Sequence, residues 1–414
     1  MARRLTFTIV GAMIAGILAG LALRAAIAEP AALKDAAAYL TIVTDLFLRL
    51  VKMIVAPLVF ATLVAGVAHM GDTAALGRIG ARTLGWFVGA SLVSLLLGLV
   101  MVNLLRPGAR TGLPLPPVGE GTGIARPAFD LHDFLVHIVP ASVVQAMADN
   151  DILPIVVFSV FFGVALAVIG EAGRPLVAGI EALAATMLRV TDYVMRVAPL
   201  AVFAAIAHAV AIKGAGILLT FGRFVGGFYL TLGCLWAVLI AAGYAVVGRR
   251  MGALVALARA PALLAFSTAS SEAAFPRLLE ALVEFGVPRR IAGFVLPLGY
   301  SFNLDGSMIY MTFATLFVAQ AYGIDIPIGS QFVMLLILMV TSKGMAGVPR
   351  ASLVVIAAVM GHFSIPEAGL LLILAVDQFL DMGRSATNVI GNAVATAVVA
   401  KWEGALGPGE AVDA

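Results

Sequence analysis

A polar stripe inside an apolar segment constrains this chain more than any other feature. From about residue 368 to 400 the sequence suits hydrocarbon, yet it carries Asp377, Asp381, Arg384, Asn388 and Asn392. Their spacing of 4, 3, 4 and 4 residues puts all five within one narrow strip of a helix, with Ser385 at its edge. The strip extends about 22 Å at about 1.5 Å per residue, less than the roughly 30 Å of a hydrocarbon core. Insertion scales put each Asp or Arg near a helix centre at about 2.5–3.5 kcal/mol, so the three together cost about 8–10 kcal/mol if left alone. They must face water, one another or a polar ligand. Either they form an ion network that only orients the helix, or they are a functional site, the default for ionisable groups at that depth.

The rest of the chain agrees with a membrane setting. Of its 414 residues 62% are hydrophobic and 12% charged, against about 25% charged in soluble domains. Mean hydropathy is +1.07. The predicted class is an all-α polytopic membrane protein. A net charge of +3, with no basic cluster interleaved with aromatics, argues against a nucleic-acid partner. The single Cys234 excludes an intrachain disulfide or a cysteine-rich metal site and reads as small core filler. The 43 glycines suit close helix packing and broken helices. Arg3 and Arg4 before the first apolar run predict a retained first helix with a cytoplasmic N-terminus.

Eight spans are expected. They cover about 5–28, 39–69, 77–105, a broken fourth from 131–149 and 152–169, 175–212 kinked at Pro199, 220–247, 289–322 and 368–400. Residues 106–130, rich in proline and glycine, read as an exposed loop. Arg49 and Lys52 are placed where long cations snorkel. Arg78, Arg82, Arg249, Arg250, Arg259, Arg289 and Arg290 fall in loops on one side, which predicts cytoplasmic termini. Lys401, Trp402 and Glu403 read as an interfacial anchor, and the last ten residues as a disordered tail.

The second half repeats itself. Residues 253–285 and 330–360 are each too interrupted for an ordinary span. One has a small polar centre over 267–273, the other over 341–347, and they close at Phe275-Pro276-Arg277 and Val348-Pro349-Arg350. A full helix follows each, with Asp305 coming 29 residues after Pro276 and Asp377 28 after Pro349. The pattern predicts two re-entrant helical hairpins, entering from opposite faces as an inverted repeat around a midplane site. Plain helices with glycine kinks are the alternative. Arg277 and Arg350, just past the hairpin prolines, are read as snorkelling or capping groups.

The seventh span contains Ser301, Asn303, Asp305, Gly306 and Ser307, a run that opposes helix continuity. An unwound turn there frees carbonyls and presents one carboxylate, which suits a hard monovalent cation or a proton on Asp305. A lone Asp capping a half-helix is the simpler reading.

Ser270 and Ser271, the turn from Asn303 to Gly306, the tip from Ala346 to Pro349 and the stripe from Asp377 to Asn392 together resemble the dicarboxylate/amino acid:cation symporters, the glutamate transporter family. The resemblance covers essentially the whole chain and is nearest to bacterial proton-coupled glutamate/aspartate carriers. It implies a homotrimer moving substrate by an elevator mechanism, in the bacterial inner membrane. Residues 1–70 and 131–217 would be scaffold; 77–105, 218–247 and 253–402 would form the transport domain, with 403–414 a tail. The second hairpin would be the outer gate.

The resemblance also implies site roles. Arg384 would pair with a side-chain carboxylate, bidentate geometry being natural to guanidinium, and Asp381 would take the ammonium. Ser385 and Asn388 would hold the amino-acid end. Ser270, Ser271 and the Val348 backbone would donate to the α-carboxylate, and Ser307 would support the side-chain carboxylate. Family members for C4-dicarboxylates lack the acid at Asp381, and those for neutral amino acids lack the arginine. The implied substrate is L-glutamate or L-aspartate.

Sodium-coupled relatives carry an Asp where Asn392 stands, and a Tyr and a Thr at Phe87 and Ala90, leaving Ser91. Lys343 lies near another of their sodium sites. Protons are therefore the expected coupling ion, sodium less so, with no other cofactor. Met311 replaces the proton-binding glutamate of vertebrate members. Glu272, Asn303, Asp305, Lys343, Asp377 and Asn392 remain as coupling candidates. Of the carboxyls, Asp381 beside Arg384 is the poorest proton carrier. An intramembrane protease would need facing aspartates or a serine with a base, and neither is evident, so no enzyme is expected. A substrate-gated anion channel is the other class.

Overall fold

The computed structural model describes residues 2–68, 73–109, 115, 136–213, 221–342 and 351–408. Among these there is no strand. The chain runs α1 (Ala2–Ala26), α2 (Pro30–Ala68), α3 (Thr73–Leu105), α4 (Val143–Asp149), α5 (Ile152–Ile169), α6 (Arg174–Met195), α7 (Ala198–Lys213) and α8 (Gly222–Val247). It continues with α9 (Met251–Thr268), α10 (Phe275–Phe285), α11 (Arg289–Phe302), α12 (Asp305–Ala321), α13 (Ile328–Thr341), α14 (Ala351–His362) and α15 (Leu370–Trp402).

Local chemistry sets the boundaries. Helix α2 begins at Pro30, well before the expected start near 39. Proline fits a first helical position, where its missing N–H has no partner to lose, and the alanines and Leu33 after it are good helix formers. Around Pro199 the helix breaks rather than kinks: α6 stops at Met195 and α7 starts at Ala198, with the proline again in a first turn. The expected fourth span is the short α4, capped by Ser142 and ended by Asn150 at φ 55°, followed by α5.

By length and composition, three helical stretches among the described residues are able to cross a membrane: Gly77–Leu105, Ile152–Val194 and Gly222–Thr268. Shorter apolar helices accompany them. Helices α12 and α15 are not among either group, because they carry the polar groups that build the site.

Helices α9 and α10 fold back on each other through a turn in which Ala269 takes φ 51°. Ser270 Oγ accepts from Ala273 N at 3.3 Å and holds that turn closed. Helices α13 and α14 also pack together; the segment between them, with Lys343 and Val348, lies outside the described residues. Arg277 is ion-paired with Glu280 instead of snorkelling.

The apolar core divides along α15. Met382 to Ala400 of α15 pack with α2, α5, α7, α9, α10 and α11. Leu370 to Leu380 pack with α3, α8, α12, α13 and α14. The polar stripe sits where the two clusters meet.

Both ends of this core are tied. At one end Glu403, only 6% exposed, pairs with Arg78 at 3.1 Å and Arg82 at 2.8 Å, and Trp86 meets Trp402 edge to face at 5.7 Å. Arg250 donates to Gly407 O at 2.6 Å and Phe285 O at 2.5 Å, and stacks on the Phe285 ring. Gly407 N donates to Gly286 O at 2.9 Å. Residues 405–408 are thus a strap rather than the start of a loose tail. At the other end Asn103 Nδ2 donates to Gln331 Oε1 at 2.7 Å, and Gln331 Nε2 to Ile326 O at 2.8 Å. Gln320 bridges Val102 O and Gly108 N.

Candidate functional site: a helix break facing a polar stripe

The expected unwound turn is present. Helix α11 ends at Phe302 and α12 starts at Asp305, with Asn303 and Leu304 at non-helical dihedrals between them. The break lies against α15. A Cβ at Gly306 would overlap the Arg384 backbone, and one at Gly391 would overlap the Asp305 carboxylate. Glycine at these two positions lets the helices meet without side chains between them.

Two clusters result. In the first, Asp305 is fully buried and accepts from Asn303 Nδ2 at 3.1 Å. Asn303 Nδ2 also reaches Asn392 Oδ1 at 3.2 Å. Ser94 Oγ stands 2.8 Å from Ala90 O and 3.3 Å from Asp305 Oδ1. Asn388 spans the two helices: its Oδ1 accepts from Gly306 N at 2.9 Å and its Nδ2 donates to Ser307 Oγ at 3.3 Å. Asn303 Oδ1, Asn392 Nδ2 and Ser301 Oγ are buried without a partner. Groups of that kind are rare in finished interiors, so the cluster has unused polar capacity.

In the second cluster Arg384 Nε donates to Asp381 Oδ1 at 2.6 Å, and Ser385 Oγ reaches the same oxygen at 3.2 Å. The guanidinium lies over the Tyr310 ring, 5.2 Å from its centroid. Tyr310 OH donates to Asp377 Oδ1 at 2.6 Å. The ion pair engages only Nε of Arg384, so its two amino groups remain as the fork that a carboxylate fits. Both charged side chains keep some exposure, 14% for Arg384 and 21% for Asp381, as a ligand-accessible pair requires.

The scaffolding around the stripe is specific. Tyr229 OH donates to Phe379 O at 2.6 Å and Trp236 Nε1 to Thr387 Oγ1 at 2.9 Å, so α8 fixes the rotation of α15 on its far side.

The structure therefore brings together Asn303, Asp305, Ser307, Asn388 and Asn392, and separately Asp377, Asp381, Arg384 and Ser385. Among the described residues no bond joins Ser270 or Ser271 to either group; Glu272 lies beside them in the same turn. Tyr310 and Ser94 are the partners that sequence reasoning missed. Phe87, Ala90 and Ser91 are buried on α3, and Ser94, one turn from Ala90, places its hydroxyl 3.3 Å from Asp305 Oδ1. Among the described residues no three His, Cys, Asp or Glu side chains gather to hold a metal.

A Bacillus subtilis proton/sodium-glutamate symport protein is 40% identical, covering 90% of this chain and 88% of its own. A Geobacillus stearothermophilus protein of the same name is also 40% identical, over 89% of both. A Mesorhizobium japonicum C4-dicarboxylate transport protein 2 is 40% identical, over 87% of this chain and 83% of its own. Residues 5–402 match the sodium:dicarboxylate symporter family, and the chain belongs to that family.

Proposed function

We propose that this symporter imports an acidic amino acid, L-glutamate or L-aspartate, together with protons. The observation that carries the reading is the Arg384–Asp381 pair at 2.6 Å, part-exposed beside the helix break. A dicarboxylate alone would meet Asp381 as a like charge, which is destabilising in a poorly hydrated site. An amino acid brings an ammonium to Asp381 and a carboxylate to Arg384, so both members of the pair stay compensated. Asn388 and Ser385 hold the amino-acid end, Ser307 the side-chain carboxylate, and Ser270, Ser271 and the Val348 backbone the α-carboxylate.

Proton coupling is supported by what surrounds Asp305. Phe87 and Ala90 of α3 carry hydrocarbon in place of the oxygens that sodium needs, and Asn392, linked to Asp305 through Asn303, is neutral. Glu272, Asn303, Asp305, Lys343, Asp377 and Asn392 form the coupling set. In this reading α3 and α8–α15 move as an elevator against α1, α2 and α4–α7, in a homotrimer with cytoplasmic termini, and the two hairpins dip in from opposite faces. The C4-dicarboxylate reading has one observation in its favour, the equal identity to a relative named for that cargo.

Purified protein in sodium-free liposomes with an alkaline interior decides between them. Labelled glutamate accumulates and succinate does not. An absolute sodium requirement refutes proton coupling, and equal succinate accumulation refutes the amino-acid reading. Arg384→Ala removes the charge that pairs with the cargo carboxylate, a loss of about 2–5 kcal/mol, or roughly 30- to several-thousand-fold in affinity.

A further inference from the structure

A cavity of about 570 Å³ opens where α1 ends, α2 begins and α7 ends. It shares no residue with the polar stripe. Packing explains its place. A Cβ at Gly16 would strike the Phe203 carbonyl and one at Gly20 the Ala207 carbonyl, so α1 lies directly on α7, as small residues allow. The start of α2 packs Leu33 and Ala37 with Ala211. The cavity is left beside that contact, with Ile27, Leu33 and Ile212 among its apolar lining.

Arg24, Lys34 and His208 also line it. Arg24 is half engaged: Nη1 donates to Ala211 O at 3.0 Å and to Ile212 O at 3.1 Å, which caps the end of α7. Its Nε and Nη2 have no partner among the described residues. Lys34 has neither a hydrogen bond nor an ion pair among them. The acids at this end, Glu29 and Asp35, are exposed and do not line the cavity. One face of α1 leads to the same place. Ile14, Ile17, Leu18 and Leu21 are exposed and fall on one helical stripe, and Arg24 follows three residues after Leu21.

We propose that this cavity holds the phosphate headgroup of an anionic phospholipid, with Arg24 and Lys34 paired to the phosphate and an acyl chain lying along the α1 stripe. Guanidinium suits two phosphate oxygens and ammonium supplies a point charge. Cations at the helix end and hydrocarbon along its face match the order of headgroup and chain in a leaflet. A free phosphate would use the cations alone. It would leave the apolar lining and the stripe idle, and a cavity of this size ordinarily takes a drug-sized ligand. The lipid touches only α1, α2 and α7, so it steadies the part proposed to be static and stays with it during transport.

Thermal unfolding of the full protein in detergent reads the site. The additions are phosphatidylglycerol, phosphatidylcholine with the same chains, and inorganic phosphate. Phosphatidylglycerol is expected to raise the midpoint of wild type and the other two are not. A cation facing an anionic headgroup is worth about fivefold in affinity, so Lys34→Gln should need about fivefold more phosphatidylglycerol for the same rise, and Arg24→Gln with Lys34→Gln about 25-fold more. Lys34→Gln breaks no bond among the described residues, so it tests the site without disturbing the cap on α7. Arg49→Gln, on α2 outside the cavity, should respond as wild type. A flat response to phosphatidylglycerol overturns the proposal, and so does an equal rise with phosphatidylcholine. Inorganic phosphate reproducing the full rise shows a free-anion site instead. An equal loss in Arg49→Gln shows diffuse charge, and an unchanged dose response in the double variant places the lipid elsewhere; either overturns it.

Discussion

The two ends of the core do the same job with different chemistry. At one, the roots of α3, α9, α10 and α15 are held by guanidinium groups of Arg78, Arg82 and Arg250. At the other, the roots of α3, α12 and α13 are held by the amides of Asn103, Gln320 and Gln331. Burial explains the choice at Gln331. Arg78 and Arg82 are 51% and 37% exposed, so their charge stays hydrated while it reaches Glu403. Gln331 is 5% exposed, and a charge there would carry the penalty of leaving water. A neutral amide can donate and accept in one place and finish satisfied.

Four experiments break or sharpen that contrast. The largest effect is expected from Arg250→Ala, which removes two charge-assisted hydrogen bonds and a ring contact; about 3–5 kcal/mol of stability should go. Thermal unfolding in detergent measures it, and Arg250→Lys should restore only part, since an ammonium cannot fork to two carbonyls. Gln331→Leu comes next at about 2 kcal/mol, because Asn103 and the Ile326 carbonyl each lose a buried partner; the same melt reads it. Glu403→Gln should cost about 1 kcal/mol or less, its partners being half in water. The smallest effect separates the ends most cleanly. Raising salt should erase the Glu403→Gln difference by screening and leave that of Gln331→Leu unchanged; if both respond alike, the contrast is wrong.

Much of the site was legible because it depends on local order. The stripe on α15 follows from residue spacing alone, and the break at Asn303 and Leu304 from residues that resist helix. The turn after Thr268 was visible for the same reason. What was not legible depends on distant parts of the chain. Ser94 looks like any serine in an apolar helix; only the rotation of α3 against the break brings it to Asp305. Tyr310 lies 67 residues from its partner Asp377. The strap was misread because its partners are remote, Arg250 lying 157 residues from Gly407 and Arg78 lying 325 from Glu403. The two helix ends around Pro199 show a further limit. Proline predicts an interruption, but whether a helix bends or stops depends on what packs against it.

The three tryptophans happen to divide between these regions. Trp236 is bonded to Thr387, one residue from Asn388, while Trp86 and Trp402 touch at the strap. The molecule therefore carries its own optical probes. Emission from Trp236 alone, in a Trp86→Phe, Trp402→Phe background, should respond to cargo at the stripe. The Trp86–Trp402 couple, isolated by Trp236→Phe, should stay silent to cargo and brighten or dim only when the carboxyl-terminal strap lets go.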